Sequence, residues 1–232
     1  IGGGTAGLEA ACTAAEVGCN TFLLEKGNEL GGLASLISKI PAKNRLADFP
    51  HYLMHRAEQL DNLYIFKNTE GTPENIRKFH PNIIVNSTGS APLLPPIAGL
   101  MDHIDKDNYN IYSILGMISH IDQFPKDLEG KKVVVVGGGA VGLDVVEFFA
   151  DRNADISIVE MMDQIGRDLD PVSKNDTKTM MKKHDVHQLT KTALLEVKDS
   201  SFLVKGDGEP YELPFEYGFV CLGMRAQGQL YQ

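Results

Sequence analysis

Apolar positions along this chain fall into two patterns that alternate. Residues 133–136 are four consecutive valines led in by Lys131 and Lys132, a β-branched run of the kind buried on both faces in a parallel sheet. Glycines at 137–139 turn the chain. Beyond them Val141, Val145, Phe148 and Phe149 recur at i, i+4, i+7 and i+8, one face of a helix. Asn153 stands where a left-handed residue closes that helix, and residues 156–160 return as a strand. The same order begins at the first residue. A glycine turn at 2–4 precedes an alanine-rich helix from Thr5, Gly18 occupies the capping position, and residues 21–25 form the returning strand.

The two stretches are copies. Shifted by 135 positions, GGGTAGLEAACTAAEVGCNTFLLE lies without a gap on GGGAVGLDVVEFFADRNADISIVE, matching Gly2/Gly137, Gly4/Gly139, Gly7/Gly142, Leu8/Leu143, Ala15/Ala150 and Glu25/Glu160. Between them, residues 82–88 read as a further buried strand closed by Gly89 and followed by a proline-rich stretch at 92–96. After Glu160 a polar helix over 173–184 leads to short segments at 194–197 and 202–205. Turn signals such as Asp207-Gly208 separate these into a β-meander, and a strand over 217–222 follows. The expected organisation is a first domain over 1–100, a linker over 101–129, a second domain over 130–222, and a return to the first domain over 223–232.

Length and composition narrow the function classes. The 232 residues are enough for two ordinary cores at 43% hydrophobic content. A net charge of -9 provides no basic stripe for a phosphate backbone and disfavours an anionic membrane surface, so neither nucleic acid nor membrane is an expected partner. No apolar run approaches the ~20 residues of a membrane span, and the expected address is the cytoplasm. Cys12, Cys19 and Cys221 form no CxxC and read as small buried apolar side chains. His51 and His55 stand at i, i+4, but with no third ligand they read as a solvated helix face. No metal site is expected.

The glycines carry the chemistry. A pyrophosphate needs backbone N–H groups at a helix N-terminus with no side chain in the way, which the pattern GxGxxG supplies. Here it occurs as Gly2, Gly4, Gly7 and as Gly137, Gly139, Gly142, with Ala140 and Val141 opening the second helix. Each copy has an acid 23 positions after its first glycine, Glu25 and Glu160, placed to accept hydrogen bonds from an adenosine ribose. In a chain with 23 glycines in 232 residues, chance gives roughly 0.2 such patterns, so one match says little and two in register say much. Glu160 is followed by Met161 and Met162 and the nearest arginine is Arg167, which favours NADH over NADPH.

Together GGGTAGLEAA, LLEKGNELGG, VNSTGSAPLLPPIAG, VVVVGGGAVGLDVVEFFA, VEMMDQIGRDLDP and CLGMR resemble the C-terminal reductase half of the 2,4-dienoyl-CoA reductase, trimethylamine dehydrogenase and NADH oxidase group of old-yellow-enzyme-like flavoproteins. The resemblance implies an α/β fold of two Rossmann-like domains, three-layered with parallel central sheets and a β-meander, the second inserted in the first. It implies FAD or ADP alone on Gly2, Gly4, Gly7, Glu25, Lys26, Gly31, Gly32, Thr88 and Gly89, and NAD(H) on the second copy, with Gly223 near its end. It also implies a preceding TIM-barrel domain with FMN and an iron–sulfur cluster, which leaves this sequence as an expected fragment. The family's closing Gly-Asp strand has no counterpart before Gln232, and a homo-oligomer stays open.

These residues bear on three functions. The first is an NADH-dependent flavin reductase module that passes electrons to a centre outside the chain, needing no catalytic acid or base. The second is an adenine-nucleotide-binding structural domain without redox activity. The third, a disulfide-reductase-like flavoprotein, is disfavoured because residues 33–40 after the double glycine hold no cysteine.

Overall fold

A computed structural model describes residues 1–228. The chain forms two compact units. One comprises Ile1–Ala91 with the stretch from Ala226, and the other is Pro92–Arg225, inserted between them. In the first unit α1 (Thr5–Glu16) is followed by β1 (Thr21–Leu24), α2 (Gly32–Ile37), α3 (Asp48–Ala57), β2 (Leu63–Phe66), α4 (Pro73–Arg77) and β3 (Ser90–Pro92). β1 and β2 pair in parallel from Thr21↔Leu63 to Leu24↔Phe66. Their core is built on α1: Leu8, Ala11, Cys12 and Ala15 pack with Leu23, Leu53, Ala57 and Leu63. Arg56 of α3 ties that packing down from outside, bonding Glu9 at 2.9 Å and Glu16 at 2.6 Å.

In the second unit come α5 (Leu100–His103), β4 (Ile111–Tyr112), α6 (Ile114–Ser119), β5 (Lys132–Val136), α7 (Ala140–Ala150), β6 (Asp155–Val159), α8 (Pro171–Lys183), β7 (His187–Leu189), β8 (Ala193–Lys198), β9 (Ser201–Lys205), β10 (Tyr211–Pro214), β11 (Tyr217–Val220) and β12 (Met224–Ala226). Five strands pair in parallel in the order β4-β11-β5-β6-β7. The meander is there as an antiparallel sheet of order β10-β9-β8. The valine run is the centre of the parallel sheet: Val133 to Val136 are all at most 3% exposed. Asn153 takes the left-handed conformation after α7, at φ 60°, and Gly18 does so after α1, at φ 94°. α8 begins on Asp170, whose carboxylate accepts the Val172 and Ser173 amides at 2.9 and 3.1 Å.

Two expectations differ from what is found. Residues 101–129 are not a bare linker: they contribute β4 and α6 to the second unit and bury Ile111, Ile114, Met117 and Ile118. Residues 82–88 contain no strand, and Ile83, Ile84 and Val85 are 82, 55 and 52% exposed. A parallel strand needs a ladder on at least one flank. Beside this segment lies Ile1, whose amino group donates to the Val85 carbonyl and whose carbonyl accepts from Ser87.

Candidate functional site

Each glycine loop is shaped by contacts only glycine allows. Gly2 lies at φ 95° and Gly137 at φ 108°, where L side chains strain. A Cβ on Gly2 would overlap the carbonyl oxygen of Ser87, and one on Gly137 that of Cys221. The third glycine closes the helix onto the turn: a Cβ on Gly7 would run into the Gly2 carbonyl, and one on Gly142 into the Gly137 carbonyl. The middle glycine is different. A Cβ on Gly139 meets nothing within 4 Å, and one on Gly4 meets only the Gly32 Cα at 3.8 Å. Gly139 thus faces open space and Gly4 nearly so.

Gly4 and Gly139 are also the N-caps of α1 and α7. Neither provides a side-chain cap, and neither helix has an acidic residue in its first turn. The first-turn amides, including those of Ala140 and Val141, are therefore left without intrahelical acceptors and carry the positive end of the helix dipole. An anion fits there. α8 makes the contrast, because the Asp170 carboxylate fills the same position.

Behind each loop an acid is clamped by the backbone. Glu25 accepts the amides of Gly3 and Gly27, both at 2.6 Å. Glu160 accepts those of Gly138 at 2.6 Å and Met162 at 2.7 Å. One carboxylate oxygen thus anchors the glycine loop and the other the turn after the strand, leaving further lone pairs for ribose hydroxyls. The copies agree further than the sequence match extended. Gly2 donates to the Leu24 carbonyl and Gly137 to the Val159 carbonyl, both at 2.8 Å. Gly31 donates to the Gly3 carbonyl at 2.8 Å and Gly166 to the Gly138 carbonyl at 2.7 Å. Gly31 and Gly166 are again 135 positions apart, and both have positive φ. Sequence reasoning named Gly31 and missed Gly166, although the same shift pointed to it.

The other residues named from sequence sort as follows. Gly32, at φ 55°, stands against Gly4: its Cβ would lie 2.8 Å from the Gly4 Cα, so the double glycine serves the loop's backbone. Glu25, Lys26 and Thr88 line a cleft of about 260 Å³ with Gly2, Glu70 and Thr72. The Thr88 hydroxyl lies 2.9 Å from Asn86 Oδ1 and 3.1 Å from the Gln227 carbonyl, while Gly89 accepts the Gln227 amide. Gly223 holds φ 99° in the second unit and accepts the Leu93 amide at 2.9 Å, as Gly89 holds φ 72° in the first. Met161, which follows Glu160, is 68% exposed. His51 and His55 are exposed, and His55 pairs with Glu58 at 3.6 Å. Cys12 and Cys221 are buried, Cys19 is exposed, and all three are free. Among the described residues no three His, Cys, Asp or Glu side chains converge as metal ligands, and no helix is long and apolar enough to cross a membrane.

Known proteins place these loops in a family. The chain is 30% identical over 85% of its length to an NADH oxidase of Thermoanaerobacter brockii, covering 29% of that protein. It is 27% identical over its full length to a metal reductase of Desulforamulus reducens, covering 38% of that protein. The chain thus spans about a third of the length of these relatives. Among solved structures, a 2-naphthoyl-CoA reductase complex matches 96% of the chain with a TM-score of 0.80 at 24% identity, over 32% of its own chain. Histamine dehydrogenase from Rhizobium sp. 4-9 matches 99% with a TM-score of 0.82 at 18% identity, over 34% of its own chain. These likenesses show the fold. The family model described as pyridine nucleotide-disulphide oxidoreductase matches residues 1–232, and the chain belongs to that family.

Proposed function

We propose that this chain is the reductase module of a flavoprotein oxidoreductase, holding FAD on the first unit and NAD(H) on the second and delivering electrons to a centre outside the chain. The observation that carries the reading is the duplicated device of an uncapped helix N-terminus fronted by a loop whose amide is clamped by a strand-end carboxylate, at Gly3–Glu25 and Gly138–Glu160. Dinucleotides fit it: the open side of Gly4 and Gly139 admits a pyrophosphate, and Glu25 and Glu160 offer acceptors to a ribose diol.

In the first unit Gly2, Gly4 and Gly7 with Gly31 and Gly32 would hold the FAD pyrophosphate, and Glu25, Lys26 and Thr88 its adenosine end in the cleft of about 260 Å³. In the second, Gly137, Gly139, Gly142 and the amides of Ala140 and Val141 would hold the nicotinamide nucleotide, with Glu160 on its ribose. When bound, these cofactors supply the hydride chemistry themselves. The residues bind, orient and exclude water, and no side chain acts as acid or base. The Glu160 carboxylate, with the exposed Met161 beside it, favours NADH, since its negative charge repels a 2′-phosphate. FMN and an iron–sulfur cluster belong to the TIM-barrel domain proposed for the parent protein. The relatives are about three times as long as this chain, which leaves room in them for such a domain.

The test is spectroscopic. Protein incubated with FAD and freed of excess is expected to be yellow, and to bleach on anaerobic addition of NADH faster than with NADPH. A colourless protein that takes up ADP but no FAD would replace this reading with a structural nucleotide-binding one.

A further inference from the structure

One histidine of the second unit faces more acceptors than a neutral ring can serve. His103 ends α5, and its side chain is only 14% exposed. Its Nδ1 lies 2.6 Å from the Gly99 carbonyl oxygen, and its Nε2 lies 2.9 Å from Oδ1 of Asp199, in the turn between β8 and β9. A carbonyl can only accept, and so can a carboxylate. A neutral imidazole has one N–H to give, whereas an imidazolium has two. Both contacts are satisfied together only when His103 is protonated.

The surroundings of the ring agree with that charge. Tyr109 packs against it with ring centroids 4.4 Å apart. Burial alone would lower the His103 pKa, but the hydrogen bonds to Gly99 and Asp199 and the charges of Asp199 and Asp102 outweigh it, and the pKa is raised. β8 also carries Glu196 and Lys198, and Lys198 is engaged by Glu212 at 2.6 Å. The seam that the ring crosses is otherwise made by backbone. Ala98 bridges to Glu196 of β8, and its carbonyl accepts the Val197 amide at 2.8 Å. A Cβ on Gly99 would overlap the Val197 carbonyl oxygen. Leu100 and Ile104, on either side of His103, are buried in the same core as Val197. His103 adds to this seam a side-chain tie that reaches the turn beyond β8.

We propose that His103 is a pH-sensitive clasp between α5 and the β8–β9 turn, closed while the ring is an imidazolium and opened when Nε2 gives up its proton. Nδ1 keeps its own proton, because the Gly99 carbonyl is fixed within the same helical turn while Asp199, 80% exposed, can turn to water at little cost. The bare Nε2 lone pair then faces the Asp199 carboxylate and repels it. Because the folded-state pKa is raised, the clasp's contribution to stability is whole below the unfolded value of about 6.5 and is lost as pH rises through the folded value. The inference concerns the second unit's fold and stands independently of the proposed activity.

The test follows the ring nitrogens of His103 by NMR in the 232-residue chain carrying isotope-labelled histidine, with the signals assigned by their absence from His103→Gln. At about pH 6.5, where an ordinary histidine is half protonated, the His103 ring is expected to be mostly doubly protonated. Its titration midpoint is expected to fall in Asp199→Asn, which keeps the shape of the partner but not its charge. The parent's advantage in melting temperature over Asp199→Asn is expected to be largest below about pH 6.5 and to shrink as pH rises through the midpoint. A ring mostly in one neutral tautomer at that pH, or a midpoint that Asp199→Asn leaves unmoved, would overturn the proposal. So would a melting difference that does not change with pH.

Discussion

Glu160 holds the Gly138 amide at 2.6 Å, so the residue that would receive the nucleotide ribose is also the residue that fixes the phosphate loop. Its other oxygen holds Met162 at 2.7 Å. Replacing Glu160 with Gln keeps the shape but puts an amide NH₂ where one backbone N–H must donate, and removes the negative charge. Net hydrogen bonds to charged groups contribute about 1.5–3 kcal/mol each. Glu160→Gln is expected to weaken NADH binding by at least tenfold and to narrow its margin over NADPH, measured by titrating each nucleotide. An unchanged margin would mean that Glu160 does not set the preference.

The third glycine of each loop should serve its nucleotide site through packing, by letting the helix close onto the turn. Gly142→Ala puts a methyl into the Gly137 carbonyl, a backbone group that cannot swing aside. Overpacking of this kind costs about 1–3 kcal/mol. Thermal unfolding is expected to show a lowered melting temperature for Gly7→Ala and Gly142→Ala even without nucleotide. A melting temperature equal to that of the parent would contradict the packing role.

Arg56 holds the carboxyls of Glu9 and Glu16 below the usual carboxylate range, chiefly by donating hydrogen bonds to them. A carboxylate with a depressed folded-state pKa contributes stability that is present above its unfolded value of about 4.3 and is lost as pH falls through the folded value. Acid unfolding of the parent should therefore steepen below about pH 4.3. Arg56→Met should be less stable at pH 7 and should flatten that acid limb, as followed by circular dichroism across the pH range. Identical acid limbs would show that the clamp adds nothing.

Burial pushes the Cys221 thiol up to about 12 and raises that of Cys12, while Cys19 is exposed. A raised thiol pKa makes a contribution to stability that is whole below the unfolded value of about 8.5 and is lost as pH rises toward the folded one. A thiol-exchange reagent at pH 8 should titrate Cys19 alone in the native chain and all three cysteines in denaturant. Fast native reaction of Cys221 would show the second unit opening around β11.

What the sequence made legible was the part fixed by local pattern. The valine run, the helix face from Val141 and the caps at Gly18 and Asn153 each depend on neighbours a few residues away, and each appears as expected. Residues 82–88 failed because apolar content marks a segment able to be buried, not one whose ladder partners are at hand. Residues 101–129 hid β4, a strand of only Ile111–Tyr112, too short for any period to register. The acids Glu25 and Glu160 were found by spacing, but their grip on Gly3 and Gly138 comes from the curvature of two loops meeting in space, which spacing does not encode.

The central claim is that the α7 N-terminus is a pyrophosphate site, and Gly139 isolates it. Its φ of -80° suits any residue, and an added methyl meets no protein atom within 4 Å, so Gly139→Ala should fold and melt like the parent. Calorimetric titration with NADH should then show one site in the parent chain's second unit and at least a tenfold loss of affinity in Gly139→Ala at an unchanged melting temperature. Equal affinity in the two proteins, or no binding to the parent, would contradict the claim.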